Sequence, residues 1–108
     1  MERIPFQYVE FSDVPRCITF EFGGAWYFLD SSFDEEKDDY PDHYNVFRLP
    51  DPAEDLWGSV KTHPNFWAEL DRTDHLGTIP IAKIGLDESR RKSIDARAFS
   101  NWLAQRGD

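Results

Sequence analysis

Residues Asp30 to Asp42, DSSFDEEKDDYPD, place seven carboxylates and one lysine in a single short stretch. Carboxylate and hydroxyl oxygens at alternate positions are what a calcium loop offers, and Asp30, Ser32, Asp34 and Glu36 fall at that spacing. An EF-hand loop requires glycine where Glu35 stands and a bidentate acid where Pro41 stands, so the template fails and no specific calcium site is expected. Like charges this close repel one another, and the stretch then reads as a solvated connection held open by that repulsion unless a positive group lies opposite. Two sources of that charge are open: the Arg90-Arg91-Lys92 turn of the same chain, or a basic partner. The residues singled out as partner-facing are Asp34, Glu35, Glu36, Asp38, Asp39 and Asp42.

Other chemistry is thinly signalled. The chain has no GxSxG elbow, P-loop, GxGxxG or HExxH. His43, His63 and His75 are too scattered to propose as metal ligands, and each adjoins a polar, turn-like stretch where exposure is the ordinary outcome. Cys17 is the only cysteine, lacks a CxxC partner and lies in a strand-like run, which favours a buried structural thiol over a nucleophile. No catalytic residue, cofactor or metal ligand is assigned. Acid pairs within residues 30–42, with Arg16 or Arg90 as an electrophile, carry the alternative reading of a small hydrolase or metal-dependent enzyme.

These residues need a frame. In CITFEFGGAWYFLD, residues 17–30, Gly23-Gly24 supplies the positive φ angles of a two-residue hairpin turn. Pairing Phe22 with Ala25 puts Phe20 opposite Tyr27 and Ile18 opposite Leu29, on one core face. The other face, with Cys17, Thr19, Glu21, Trp26 and Phe28, is too apolar to be wholly wet. A third strand is expected from Tyr44 to Leu49, and a fourth from Thr78 to Leu86 with a bulge near Lys83 to Gly85. Pro80 marks the start of that fourth strand at a sheet edge, and Ile4 to Phe11 offers a fifth. Asp51-Pro52-Ala53-Glu54 reads as the capped start of a brief helix, Pro64 to Asp71 as another short one, and Asp95 as the cap of a C-terminal helix with Phe99, Trp102 and Leu103 inward and Ile94 stapled onto Phe99. The expected fold is one α+β domain over residues 1–108, a small antiparallel sheet built on the Gly-Gly hairpin with short helices and the C-terminal helix packed on it.

Charge narrows the partners. Of the 108 residues, 21 are acidic and 12 basic, a net charge of −9, with the basic excess confined to residues 83–108. Such a surface repels phosphate backbones and anionic lipid, so nucleic acid and membranes are disfavoured unless the basic tail forms its own patch, and a basic protein, a metal ion or plain solubility remains. No unbroken apolar run reaches the roughly 20 residues of a membrane helix and the N-terminal stretch does not resemble a signal peptide, so a cytoplasmic address is expected.

Several strings are similar to those of a group of small uncharacterised bacterial proteins. They are Asp13-Val14-Pro15-Arg16, Tyr27-Phe28-Leu29-Asp30 running into Phe33-Asp34-Glu35, Asp39-Tyr40-Pro41-Asp42-His43-Tyr44, Val46-Phe47-Arg48-Leu49-Pro50, Gly77-Thr78-Ile79-Pro80-Ile81 and Leu86 to Asp95. The resemblance spans most of the chain and implies a bacterial cytosolic origin without implying a mechanism. The small size, the missing catalytic motifs and the concentrated negative charge make the leading functional expectation a non-enzymatic acidic binding module, of inhibitor or immunity type, that recognises a basic partner.

Overall fold

A computed structural model describes residues 2–49 and 74–106. The helices expected over 52–60 and 64–71, together with His63, lie outside the described residues. The described chain is a small α+β fold in which an antiparallel sheet carries one C-terminal helix. Its strands are β1 (Arg3–Pro5), β2 (Gln7–Ser12), β3 (Val14–Phe22), β4 (Ala25–Asp30), β5 (His43–Leu49), β6 (Asp74–Pro80) and β7 (Ser93–Asp95), followed by α1 (Ala96–Ala104). Strands β2 to β6 form a five-stranded sheet in sequence order, while β1 and β7 pair separately.

Between β3 and β4 the register places Ile18 opposite Leu29, Phe20 opposite Tyr27 and Phe22 opposite Ala25. Gly23 and Gly24 have φ of 59° and 82°, values that side chains with a Cβ rarely take and that suit the twist of a two-residue hairpin. Alternation then sends Ile18, Phe20, Tyr27 and Leu29 to one face, where all four are buried. Phe99 of α1 lies on that face with its ring edge-on to Phe20 and Tyr27, each centroid 5.0 Å away. Ile4, Tyr44, Val46, Ile79, Ile84, Ile94, Ala96 and Trp102 complete this core. On the opposite face Cys17, Phe28 and Phe47 are buried as a second cluster, with Val9, Trp26 and Leu49 against it.

The helix begins where its cap requires. The Asp95 carboxylate accepts from the backbone N–H of Arg97 at 2.9 Å and of Ala98 at 3.4 Å, filling donors the first turn leaves orphaned. Trp102 donates its indole N–H to the Thr78 carbonyl at 2.9 Å, tying α1 to β6. Arg106 stacks its guanidinium 4.5 Å from the Trp102 ring and reaches the same carbonyl. Close packing at the start of α1 also fixes Gly85, because a Cβ there would sit 2.5 Å from that of Asp95.

Three expectations are corrected. The strand over Thr78–Leu86 instead ends at Pro80 and gives way to a 3-10 turn, Ile81–Lys83, whose shorter repeat accounts for the change of apolar phase between Ile81 and Ile84. Pro80 thus closes an edge strand rather than opening it, and the irregularity falls at Val46/Phe47, where Val46 faces Gly77 and Phe47 faces His75. The opening segment is two strands. Pro5 cannot donate to a ladder, Phe6 donates its N–H to the Lys92 carbonyl at 3.0 Å, and the chain leaves β7 to join β3. None of the described helices is long and apolar enough to cross a membrane.

Candidate functional site

The acidic segment leaves β4 and returns as β5, and it is ordered rather than held open by repulsion. Asp34 and Asp39 form an antiparallel bridge, with N–H to carbonyl distances of 2.9 and 3.3 Å. Residues 35–38 make the turn, and Asp38 takes φ of 53°. The Asp34 carboxylate accepts from the N–H of Glu36 at 3.0 Å and of Lys37 at 3.4 Å, the local bond that lets Asx residues substitute for backbone in turns. The Asp39 carboxylate accepts from the Tyr40 N–H at 2.7 Å. Phe33 and Tyr40 flank the bridge and meet edge to face at 5.2 Å. Hydrogen bonds to turn N–H groups thus offset the repulsion that sequence reasoning expected to dominate.

The hairpin is held from behind by Arg16. This side chain sits in β3 among apolar neighbours, and only 7% of the residue is exposed. Its Nε donates to the Ser12 carbonyl at 3.0 Å, and its Nη1 donates to Ser31 Oγ at 3.2 Å and to the Pro41 carbonyl at 3.0 Å. The Tyr40 ring covers the guanidinium at 4.4 Å, a favourable cation–π contact. Beside it the Tyr44 hydroxyl donates to the Pro15 carbonyl at 2.6 Å. Burial raises the Tyr44 phenol well above its ordinary range, against a downward pull from Arg16, and keeps it a donor.

Of the six residues singled out, Glu35, Glu36, Asp38, Asp39 and Asp42 are exposed and Asp34 is half-buried. They flank a shallow concavity of about 820 Å³ whose aromatic centre is Phe33 and Tyr40, although Asp38 stands outside it. Phe33 is 44% exposed and, with Phe11, makes up the exposed large apolar side chains of the described residues. Sequence reasoning missed Phe33 as a candidate contact.

The basic turn does not meet these acids among the described residues. Arg90 lies 3.8 Å from the Asp13 carboxylate, and Arg91 stacks 4.5 Å over the Phe11 ring. Asp87 organises this turn by accepting from Ser89 Oγ at 2.6 Å and from the N–H groups of Arg91 and Lys92. Desolvation acts upward on the Asp87 carboxyl, but these hydrogen bonds outweigh it and hold the group below its ordinary value. His43 adjoins Asp42 at 3.4 Å, and His75 contacts Asn45 at 3.3 Å. Among the described residues no three His, Cys, Asp or Glu side chains are grouped to hold a metal ion.

Cys17 is buried, and its thiol lies 3.6 Å from the Asp30 carboxylate. Burial first, and then the negative charges of Asp30 and Glu10, push its pKa upward and keep the thiol protonated. A disulfide reagent at pH 8 is therefore expected to leave the folded protein unmodified and to label it on unfolding. Labelling of the native protein at the rate of a free thiol would contradict this placement.

No protein-family model matches the chain, and no curated protein or solved structure matches it.

Proposed function

We propose that the protein is a non-enzymatic acidic binding module, of inhibitor or immunity type and acting in the cytoplasm, that recognises a basic protein through the hairpin of residues 33–42. The observation carrying this reading is the pairing of a fixed backbone with unpaired acids. Asp34 and Asp39 order the turn, Arg16 anchors it, and the carboxylates of Glu35, Glu36 and Asp38 are turned to solvent with no ion pair among the described residues. A preformed loop avoids part of the ordering cost of association, and concentrated negative charge speeds encounter with a cationic surface. Phe33, which lines the same concavity as Glu35, Glu36 and Asp39, supplies the apolar anchor that binding surfaces place at their centre.

The reading is tested with Lys- and Arg-rich peptides carrying one apolar residue, titrated at low and moderate salt. One-to-one binding is expected, weakening with salt and lost in both a Phe33→Ala variant and a variant with Glu35, Glu36, Asp38 and Asp39 made neutral. Binding that ignores Phe33, or that survives neutralisation, contradicts the assignment.

A further inference from the structure

Adjoining the acidic concavity, and sharing Tyr40, Pro41 and Asp42 with it, lies a second groove of about 610 Å³. Its walls are the β2–β3 turn, the foot of the acidic hairpin, the 3-10 turn and the segment leading into the basic turn. The lining is of mixed character: Val14, Ile81 and Leu86 are apolar, Arg16 lies at the base beside Tyr40, and Arg90 stands on the rim. Arg16 uses Nε and Nη1 for the three protein oxygens that hold it, while its Nη2 makes no hydrogen bond and no carboxylate lies within ion-pair distance of the guanidinium among the described residues.

A buried cation without a counter-ion is costly, and the cost falls when an anion is supplied in the same low-dielectric setting. Asp13 and Asp42 also line the groove, but neither carboxylate lies within ion-pair distance of Arg16. Asp13 faces Arg90, and the Asp42 side chain is fully exposed beside His43. Arg90 is itself held over the rim in a left-handed backbone conformation, φ 58°, by the Asp87 turn. We propose that this groove binds a carboxylate at the end of an apolar chain, with the carboxylate on Nη2 of Arg16 and the chain lying on Val14, Ile81 and Leu86. Arg90, whose charge is shared with Asp13, stands at the entrance, and the apolar walls, buried at Val14 and half-buried at Ile81 and Leu86, favour a branched aliphatic group over a hydrated inorganic anion.

Two sources carry this chemistry, a free branched acid and the C-terminus of a peptide ending in leucine. Both are tested on the full chain by NMR titration, with 4-methylpentanoate and with Ala-Ala-Leu as probes, and with 4-methylpentanamide, amidated Ala-Ala-Leu and inorganic phosphate as controls. Saturable shifts at Val14, Tyr40 and Ile81 are expected with the free carboxylates only. Tighter binding of the tripeptide identifies a chain terminus as the ligand, and equal or weaker binding identifies the small acid. Arg16→Lys keeps the charge but not the planar fork, and should weaken binding by about tenfold. Ala82→Trp, at an exposed position of the 3-10 turn, should block the groove while leaving the Arg16 hydrogen bonds in place. Shifts that fail to saturate with either carboxylate, amides that bind as well as acids, or unaltered binding by the folded Ala82→Trp protein would each overturn the proposal.

Discussion

Phe20→Ala is expected to remove about 3–5 kcal/mol of stability, the usual cost of truncating a core ring. Phe20 is buried on β3, pairs across the sheet with Tyr27 at 5.8 Å, and takes the edge of the Phe99 ring from α1. Its removal therefore deletes apolar burial and also the aromatic contacts joining sheet to helix, and neighbours fixed in strand geometry cannot collapse far into the space left. On a domain worth about 5–15 kcal/mol the loss is severe. Chemical denaturation should show it as a lower midpoint with little change in slope. A loss below about 1 kcal/mol would mean that the β3–β4 register does not face Phe20 into the core.

The second large effect is expected at Arg16. Arg16→Met keeps much of the length of the side chain but removes the donor to the Ser12 carbonyl and leaves the Pro41 carbonyl only the Ser31 hydroxyl, and an acceptor left unsatisfied away from water costs about 1–3 kcal/mol. The consequence is local as well as global. Pro41 and Tyr40 belong to the returning arm of the acidic hairpin, so amide exchange at Asp34 and Asp39 should quicken far more than at Phe20 or Leu29. Uniform acceleration at all four sites would show that Arg16 supports the sheet without fixing the hairpin.

How much was legible in the sequence depends on the range of the interaction. The β3–β4 pairing follows from one Gly-Gly dipeptide and strict alternation on either side, both local signals. The C-terminal helix is marked by Asp95 and by the spacing of Phe99 and Trp102, again within a few residues. Beyond Pro80 the apolar residues Ile81 and Ile84 fit a strand with a bulge as well as a 3-10 turn, and periodicity over so few positions does not separate them.

The acidic segment was located but its order was not. Counting charges hides the symmetric string Phe33-Asp34 and Asp39-Tyr40, in which two aromatics and two turn-forming aspartates bracket four residues. That string is a usable hairpin signal. The anchoring role of Arg16 was harder to see, because its acceptors at Ser12, Ser31 and Pro41 are brought together only by the fold. The available hint was a lone arginine in the otherwise apolar run Val14 to Ile18, where a buried charge must find partners.

The central claim is that the negative charge of the hairpin acids, unlike the acceptor oxygens of Asp34 and Asp39, is not needed by the fold. It is tested most directly by the unfolding free energy of a variant carrying Asp34→Asn, Glu35→Gln, Asp38→Asn and Asp39→Asn, measured at low and at high salt. Asparagine retains the acceptor oxygens that order the turn, and relief of repulsion offsets the charge-assisted part of those hydrogen bonds. Stability is predicted to stay within about 0.5 kcal/mol of the parent or to rise slightly, with the rise larger at low salt. A loss above about 1 kcal/mol that grows as salt is removed would contradict the account, because it would place a compensating positive charge within the chain itself.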